Sequence, residues 1–197
     1  MTSIRLRQRT TRVRARAIAA VLLTAFLLAT PIVAGAQPAL HHVGPSYLYP
    51  DPATTPGVVN PDITQANIRE TICNPQWSTK SVRPPVSYTN HLKAQQLAAS
   101  RFKDKTSSHY EEDHFISLEL GGNPRDPRNL WPEMWGTPGT PLTSRGPFPP
   151  YLVGAKAKDA VENQLHKEIC AGTLTLHEAQ QIIATDWFQY YRDHVLK

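Results

Sequence analysis

The sequence predicts an α+β domain that is mostly helical and carries one β-hairpin near its middle. Three observations predict it. Two stretches near the C-terminus, 154–171 and 176–194, repeat apolar residues three and four apart, as the buried face of a helix requires. A third stretch, following Pro84-Pro85, is dense in strong helix formers from Leu92 to Ala99. Between them, Tyr110–Leu120 brings Phe115, Ile116, Leu118 and Leu120 up to the turn signal Gly121-Gly122-Asn123-Pro124, after which Asn129-Leu130-Trp131 returns as a second strand.

The formal charge of +5 is unevenly spread. Residues 1–36 hold six arginines (Arg5, Arg7, Arg9, Arg12, Arg14, Arg16) and no acid, leaving 15 of the 21 basic residues against all 16 acidic ones. The rest of the chain therefore sums to −1, which argues against a broadly basic nucleic-acid-binding surface. The arginine-rich start, the apolar run Ala17–Ala29 and the small residues Ala34-Gly35-Ala36 read as a cleavable export signal over 1–36, with a mature start at Gln37. The apolar run is short of the roughly 20 residues of a membrane span, so no stable span is expected after cleavage. A retained anchor is the alternative. No twin-arginine pair is present, which favours general secretion, to the periplasm or the medium.

Residues 37–61 contain Pro45, Pro50, Pro52, Pro56 and Pro61 and no period, and read as an irregular arm. His41-His42 lies within it and reads as a solvated pair. One domain is expected over 62–197. Its first element is a short helix over Asp62–Cys73, with Thr64 as N-cap and Ile68 and Ile72 on one face. Ser87 or Thr89 is the expected cap of the next helix, which runs to about Ser100. Pro132–Pro150 is a proline- and glycine-rich excursion, longer than a plain connection. In the helix 154–171, Val161, Leu165 and Ile169 form the apolar stripe and Gly172 suits its end. Thr175 and Glu178 have capping-box spacing for the last helix, lined by Ala179, Ile183, Trp187 and Tyr190. Cys73 and Cys170 are the only cysteines. In an oxidising compartment they read as a disulfide worth about 4–5 kcal/mol at most in chain-entropy terms. Two buried free thiols are the alternative.

The run Tyr110–Pro132, YEEDHFISLELGGNPRDPRNLWP, joins Asp113-His114, the Gly-Gly turn and Asn129-Leu130. It resembles the HNH nuclease motif in the form DHxxPLxxGG…NL, over about one-tenth of the chain. A weaker likeness to small exported bacterial proteins of the HNH superfamily extends from about Thr71 to the C-terminus. The resemblance implies a ββα-metal core, a hairpin plus a helix, surrounded by further helices. It implies His114 as general base and Asp113 as metal ligand, both reaching one site where the backbone bends. It implies that Asn129 orients the His114 ring through its side-chain carbonyl. Without the resemblance, a buried Asp-His packing pair with Asn129 as a turn residue is the competing reading.

The motif's last position is a His or Asn on the following helix, and no histidine follows Asn129 until His166. Asp159, Glu162 and His166 sit together at the edge of the apolar stripe, and Glu162 and His166 share a face. His166 is therefore the expected second metal ligand, with Glu162 as ligand or supporting partner and Asn163 as next candidate. An ordinary solvated helix face is the alternative. Two departures from the family pattern are the long excursion before this helix and Ser117 in place of the usual proline. Glu111 and Glu112 extend the acidic character of Asp113, which favours a hard divalent cation, Mg²⁺ or Mn²⁺; Zn²⁺ or Ni²⁺ would suit coordination by His166.

Arg125, Arg128, Lys156 and Lys158 are candidates for phosphate contact, although Arg125-Asp126 and Asp126-Arg128 also read as local surface pairs. Trp131 and Trp135 read as base-stacking or packing residues. His91, His109, His177 and His194 read as surface or structural. No nucleophile elbow is present, which argues against a serine or cysteine hydrolase. The expectation is an exported, metal-dependent HNH endonuclease acting on DNA or RNA. The alternative is a catalytically inactive HNH-like exported module that binds or merely supports. No protein partner is identifiable from these residues.

Overall fold

The computed structural model describes residues 46–135 and 153–196. The expected export signal, His41-His42 and most of the proline-rich excursion lie outside the described residues. Among these residues the fold is α+β, with three α-helices and one two-stranded antiparallel sheet.

Helix α1 spans Val86–Ala99 and starts directly after Pro85, with no side-chain cap. The expected caps Ser87 and Thr89 lie inside it. Pro85 holds Pro84 extended, so the proline pair sets the start and no hydroxyl is required. Two α1 side chains tie down the strands: Lys93 Nζ donates to the Tyr110 carbonyl (2.9 Å) and Gln96 Nε2 to that of Leu130 (2.8 Å).

Strand β1 is Tyr110–His114 and β2 is Leu130–Met134, with Glu111 opposite Glu133 and Asp113 opposite Trp131. The first strand ends well before the expected Leu120, because its continuation is claimed by side chains. Ser117 Oγ accepts from Glu119 N and opens a 3₁₀ turn over Leu118–Leu120. The Asn129 amide spans Ile116, accepting from its N–H (2.8 Å) and donating to its carbonyl (3.0 Å). The second strand runs further than expected, through Pro132. A two-stranded sheet has a free edge on each strand, where a residue without an N–H is tolerated.

The two glycines of the turn do different things. Gly121 takes a left-handed φ of 74°. Gly122 allows close approach: a Cβ there would lie 1.8 Å from the Ile116 carbonyl oxygen and 2.8 Å from Asn129 Nδ2. Backbone cannot swing aside as a side-chain tip can. Gly122→Ala is expected to cost about 1–3 kcal/mol, read as a lower urea midpoint at unchanged m-value. An unchanged midpoint would mean the turn is loose.

Helix α2 covers Ala155–Ala171 and ends at Gly172 with φ 79°. Val161, Leu165 and Ile169 are its fully buried stripe, as the periodicity predicts. Helix α3 covers Leu176–Tyr190 behind the expected Thr175/Glu178 capping box, buries Ala179, Ile183 and Trp187, and leaves helical geometry at Asp186. A π turn, Tyr191–Val195, replaces its expected last turn, and Tyr191 is buried where Tyr190 is half-buried.

Cys73 and Cys170 are joined in a disulfide across 97 residues. The helix expected over 62–73 is a series of turns. Asn67 disrupts it: its side chain accepts from Thr64 N and donates to the Asp62 carbonyl, giving local backbone groups non-helical partners. Ile68 and Ile72 are nonetheless buried. The arm is also more ordered than its composition implies. Leu48 and Tyr49 join the core, the Leu48 carbonyl accepts from Trp187 Nε1 (3.1 Å), and Val59 bridges to Gly122.

Candidate active site

The end of β1, the turn after it, one face of α2 and the segment before α1 enclose a small cleft of about 90 Å³. Asp113, His114 and Glu111 line it from the strand, and Ser117, Leu118 and Glu119 from the turn. Asp159, Glu162 and Asn163 line it from α2, and Thr79 and Arg83 from the segment ahead of α1. Asp113 and His114, adjacent in a strand, would ordinarily point to opposite faces. Both reach the cleft because the strand stops at His114.

His114 is 5% exposed and its Nε2 lies 3.0 Å from the Pro124 carbonyl. A carbonyl only accepts, so Nε2 carries the proton and Nδ1 of the neutral ring keeps a bare lone pair. Burial pushes the His114 pKa down, against the Pro124 bond and the Asp113 charge, which both favour the imidazolium. The expected partner, Asn129, does not orient the ring directly. Its side-chain carbonyl is engaged by Ile116 N, and its Nδ2 also donates to the Asn123 carbonyl (3.0 Å). Asn129 thus holds the loop that presents Pro124, acting on the histidine through the backbone.

Beneath the cleft lies a residue whose place the sequence does not reveal. Lys158 is completely buried, with its Nζ 2.8 Å from Asp113 Oδ2, 3.0 Å from the His114 carbonyl, and hydrogen-bonded to Glu162 Oε1. Burial would lower its pKa, but the Asp113, Glu162 and Glu133 carboxylates outweigh this and raise it, so the ammonium persists. Lys158 is therefore a structural counter-ion and cannot serve as the expected surface contact to substrate.

One ammonium does not neutralise the acids around it. Burial, then the Asp113 charge, pushes Glu111 up to about 7. The same two causes raise Asp159, and burial raises Glu162. Glu133 is 1% exposed, has no hydrogen-bond donor facing either oxygen, and is held well above the usual range by burial and by Asp113. On the sheet's other face Glu112 is pushed up to about 8 by the same two causes.

This charge surplus has a sign that can be measured. Glu111 binds its proton more tightly folded than unfolded. Its contribution to stability is full below pH 4.5 and is lost as pH rises towards about 7; Glu112 extends the loss to about 8. A divalent cation held by the ionised cleft would offset that loss. Added Mn²⁺ is expected to raise the melting temperature more at pH 8 than at pH 5. An equal or reversed shift would exclude cation binding by these carboxylates.

The donor set suits a hard cation. Asp113, Asp159 and Glu162, with the Asn163 amide, are the groups that could hold one from the cleft side. Their oxygens are not gathered as tightly as a preformed three-ligand cage, but Mg²⁺ is commonly held through one or two carboxylates plus water. His166 is not among them. Its Nε2 lies 2.8 Å from the Ile72 carbonyl and 3.5 Å from Cys170 Sγ, at the disulfide. Cys73, His166 and Cys170 do bring their ligand atoms within 4.8 Å of one another. The two sulfurs are bonded together, which leaves His166 as the only donor there. The expectation of Zn²⁺ or Ni²⁺ rested on His166 at the cleft and loses that support.

The other expected substrate contacts are also redistributed. Arg128 is spent on Asp126 in a two-point pair (3.0 and 2.6 Å), the local alternative read from the sequence. Arg125 is exposed and does not line the cleft. Trp131 is buried at 3% exposure, so it packs and cannot stack on a base, whereas Trp135 is exposed with Lys156 4.9 Å above its ring. Arg83 and Thr79 were missed because their stretch has no period; the prolines after Arg83 were the only hint of a fixed position. No protein family, curated protein or solved structure matches the chain.

Proposed function

We propose that the protein is a metal-dependent nuclease that hydrolyses phosphodiester bonds of DNA or RNA, with His114 as general base. The observation that carries this reading is the His114 ring, held by Pro124 so that a bare Nδ1 remains beside an acid-lined cleft. In this reading Nδ1 takes a proton from water as its oxygen attacks phosphorus. The bond from phosphorus to the leaving sugar oxygen breaks, and that oxygen is protonated from solvent. Asp113, Asp159, Glu162 and Asn163 would hold Mg²⁺ or Mn²⁺, which supplies positive charge for the phosphate and the leaving oxygen. Asn129 and Lys158 fix the geometry, one through the loop bearing Pro124 and the other through the His114 carbonyl and Asp113.

The ββα-metal arrangement belongs to the same proposal. Its support is the antiparallel pair β1–β2 with α2 attached through Lys158 to Asp113. Export is likewise proposed, supported by the disulfide and by the composition of residues 1–36.

One observation favours a second reading, a catalytically inactive exported module. Lys158 already bridges Asp113 and Glu162, so a buried ammonium supplies these carboxylates with the positive charge a metal would bring. Incubation of the purified protein with supercoiled plasmid and single-stranded RNA, in Mg²⁺, Mn²⁺ or EDTA, separates the two. Cleavage that EDTA abolishes supports the nuclease. Intact substrates in every metal, from folded and disulfide-bonded protein, support the inactive module.

A further inference from the structure

A phosphodiester approaching this cleft meets a wall of carboxylates. Apart from any bound metal, some cation of the chain must face it. Lys158 cannot, because three acceptors already hold its buried ammonium. Arg128 is paired to Asp126, and Arg125 and Lys156 do not line the cleft. Arg83 does. It is exposed, close enough for its charge to act on Glu111, His114 and Asp159, yet among the described residues it has no ion pair and no side-chain hydrogen bond. A guanidinium beside acids, with its donors unspent, is an open two-point site for an anion.

Its backbone is also fixed. Arg83 N donates to the Thr79 carbonyl (2.8 Å), closing the turn that Ser78 caps. Buried Pro84 follows, and then Pro85, where α1 begins. A side chain anchored in this way loses less freedom when it grips a ligand than one on a loose loop.

We infer that Arg83 is the substrate clamp of this cleft, its guanidinium gripping a non-bridging oxygen of the phosphate that His114 Nδ1 faces. This rests on the nuclease reading for its substrate, but the contact itself can be measured without turnover. The test compares wild type, Arg83→Ala and Arg83→Gln with a labelled single-stranded oligonucleotide. Binding is followed in EDTA across a salt series, and cleavage in Mn²⁺.

Both variants are expected to bind at least tenfold more weakly. The slope of log affinity against log salt should be shallower by about 0.7, as loss of one phosphate contact to a single strand predicts. kcat/KM should fall about 100-fold, with an unchanged Mn²⁺-induced melting shift. Unaltered binding and salt slope in either variant would overturn the clamp. So would a lowered melting temperature in both variants, which would mark a structural role. Arg83-dependent binding without cleavage by wild type would support the contact while removing the nuclease reading. Absence of oligonucleotide binding by wild type would remove both.

Discussion

Lys158→Met is expected to destabilise the protein by about 3–5 kcal/mol at pH 8, because it strands ionised carboxylates that lost their solvent on folding. The methionine fills most of the lysine's volume, so little of the loss comes from a cavity. What remains is Asp113 and Glu162 without their ammonium, with Glu133 beneath them and no donor of its own. Each must then ionise at a steep cost or keep a proton. The loss should therefore shrink as pH falls towards 4, because burial raises Glu162 and Glu133 and both take up protons as pH falls. Urea midpoints of wild type and Lys158→Met across pH 4–8 check this. A constant difference would show that Lys158 contributes through packing alone. A variant that gained stability at all pH values would mean the acid cluster is solvated.

How far the sequence could lead here depends on the range of each interaction. The Val161, Leu165 and Ile169 stripe and the Thr175/Glu178 capping box are local patterns, and they fold as their spacing predicts. Asp113 and His114 reach one cleft because β1 stops at His114, where Ser117 and Asn129 claim the backbone that follows. Lys158 and Glu162 pair at i,i+4 on α2. The third partner, Asp113, lies 45 residues away, and nothing local shows that the pair is buried under a strand.

His166 was misplaced for a reason the sequence did contain. It shares a face with Glu162, but four residues of helix advance about 6 Å, enough to carry it out of a small cleft. It also stands four residues before Cys170, the predicted disulfide partner of Cys73. That spacing assigns His166 to the disulfide end of α2, where its ring meets the Ile72 carbonyl. The short helix over 62–73 failed on Asn67, whose side chain offers the backbone the alternative partners that asparagine commonly offers.

His114→Ala is expected to lower kcat by 10²- to 10⁴-fold, about the contribution of one positioned general base. His114 is buried, so the substitution also removes the bond to Pro124 and opens a space beside the cleft. Two further readouts separate chemistry from damage. Free imidazole can enter that space and restore part of the rate by taking the proton that Nδ1 took. The wild-type rate should fall with decreasing pH on a limb centred below 6.5, because burial lowers the His114 pKa and only the neutral ring can act as base. A limb centred above 7 would assign the titration to a raised carboxyl such as Glu111. Wild-type turnover by His114→Ala would remove His114 from the chemistry altogether. Loss without imidazole rescue, at an unchanged melting temperature and Mn²⁺ response, would leave His114 as a residue that positions Asp113 and the turn.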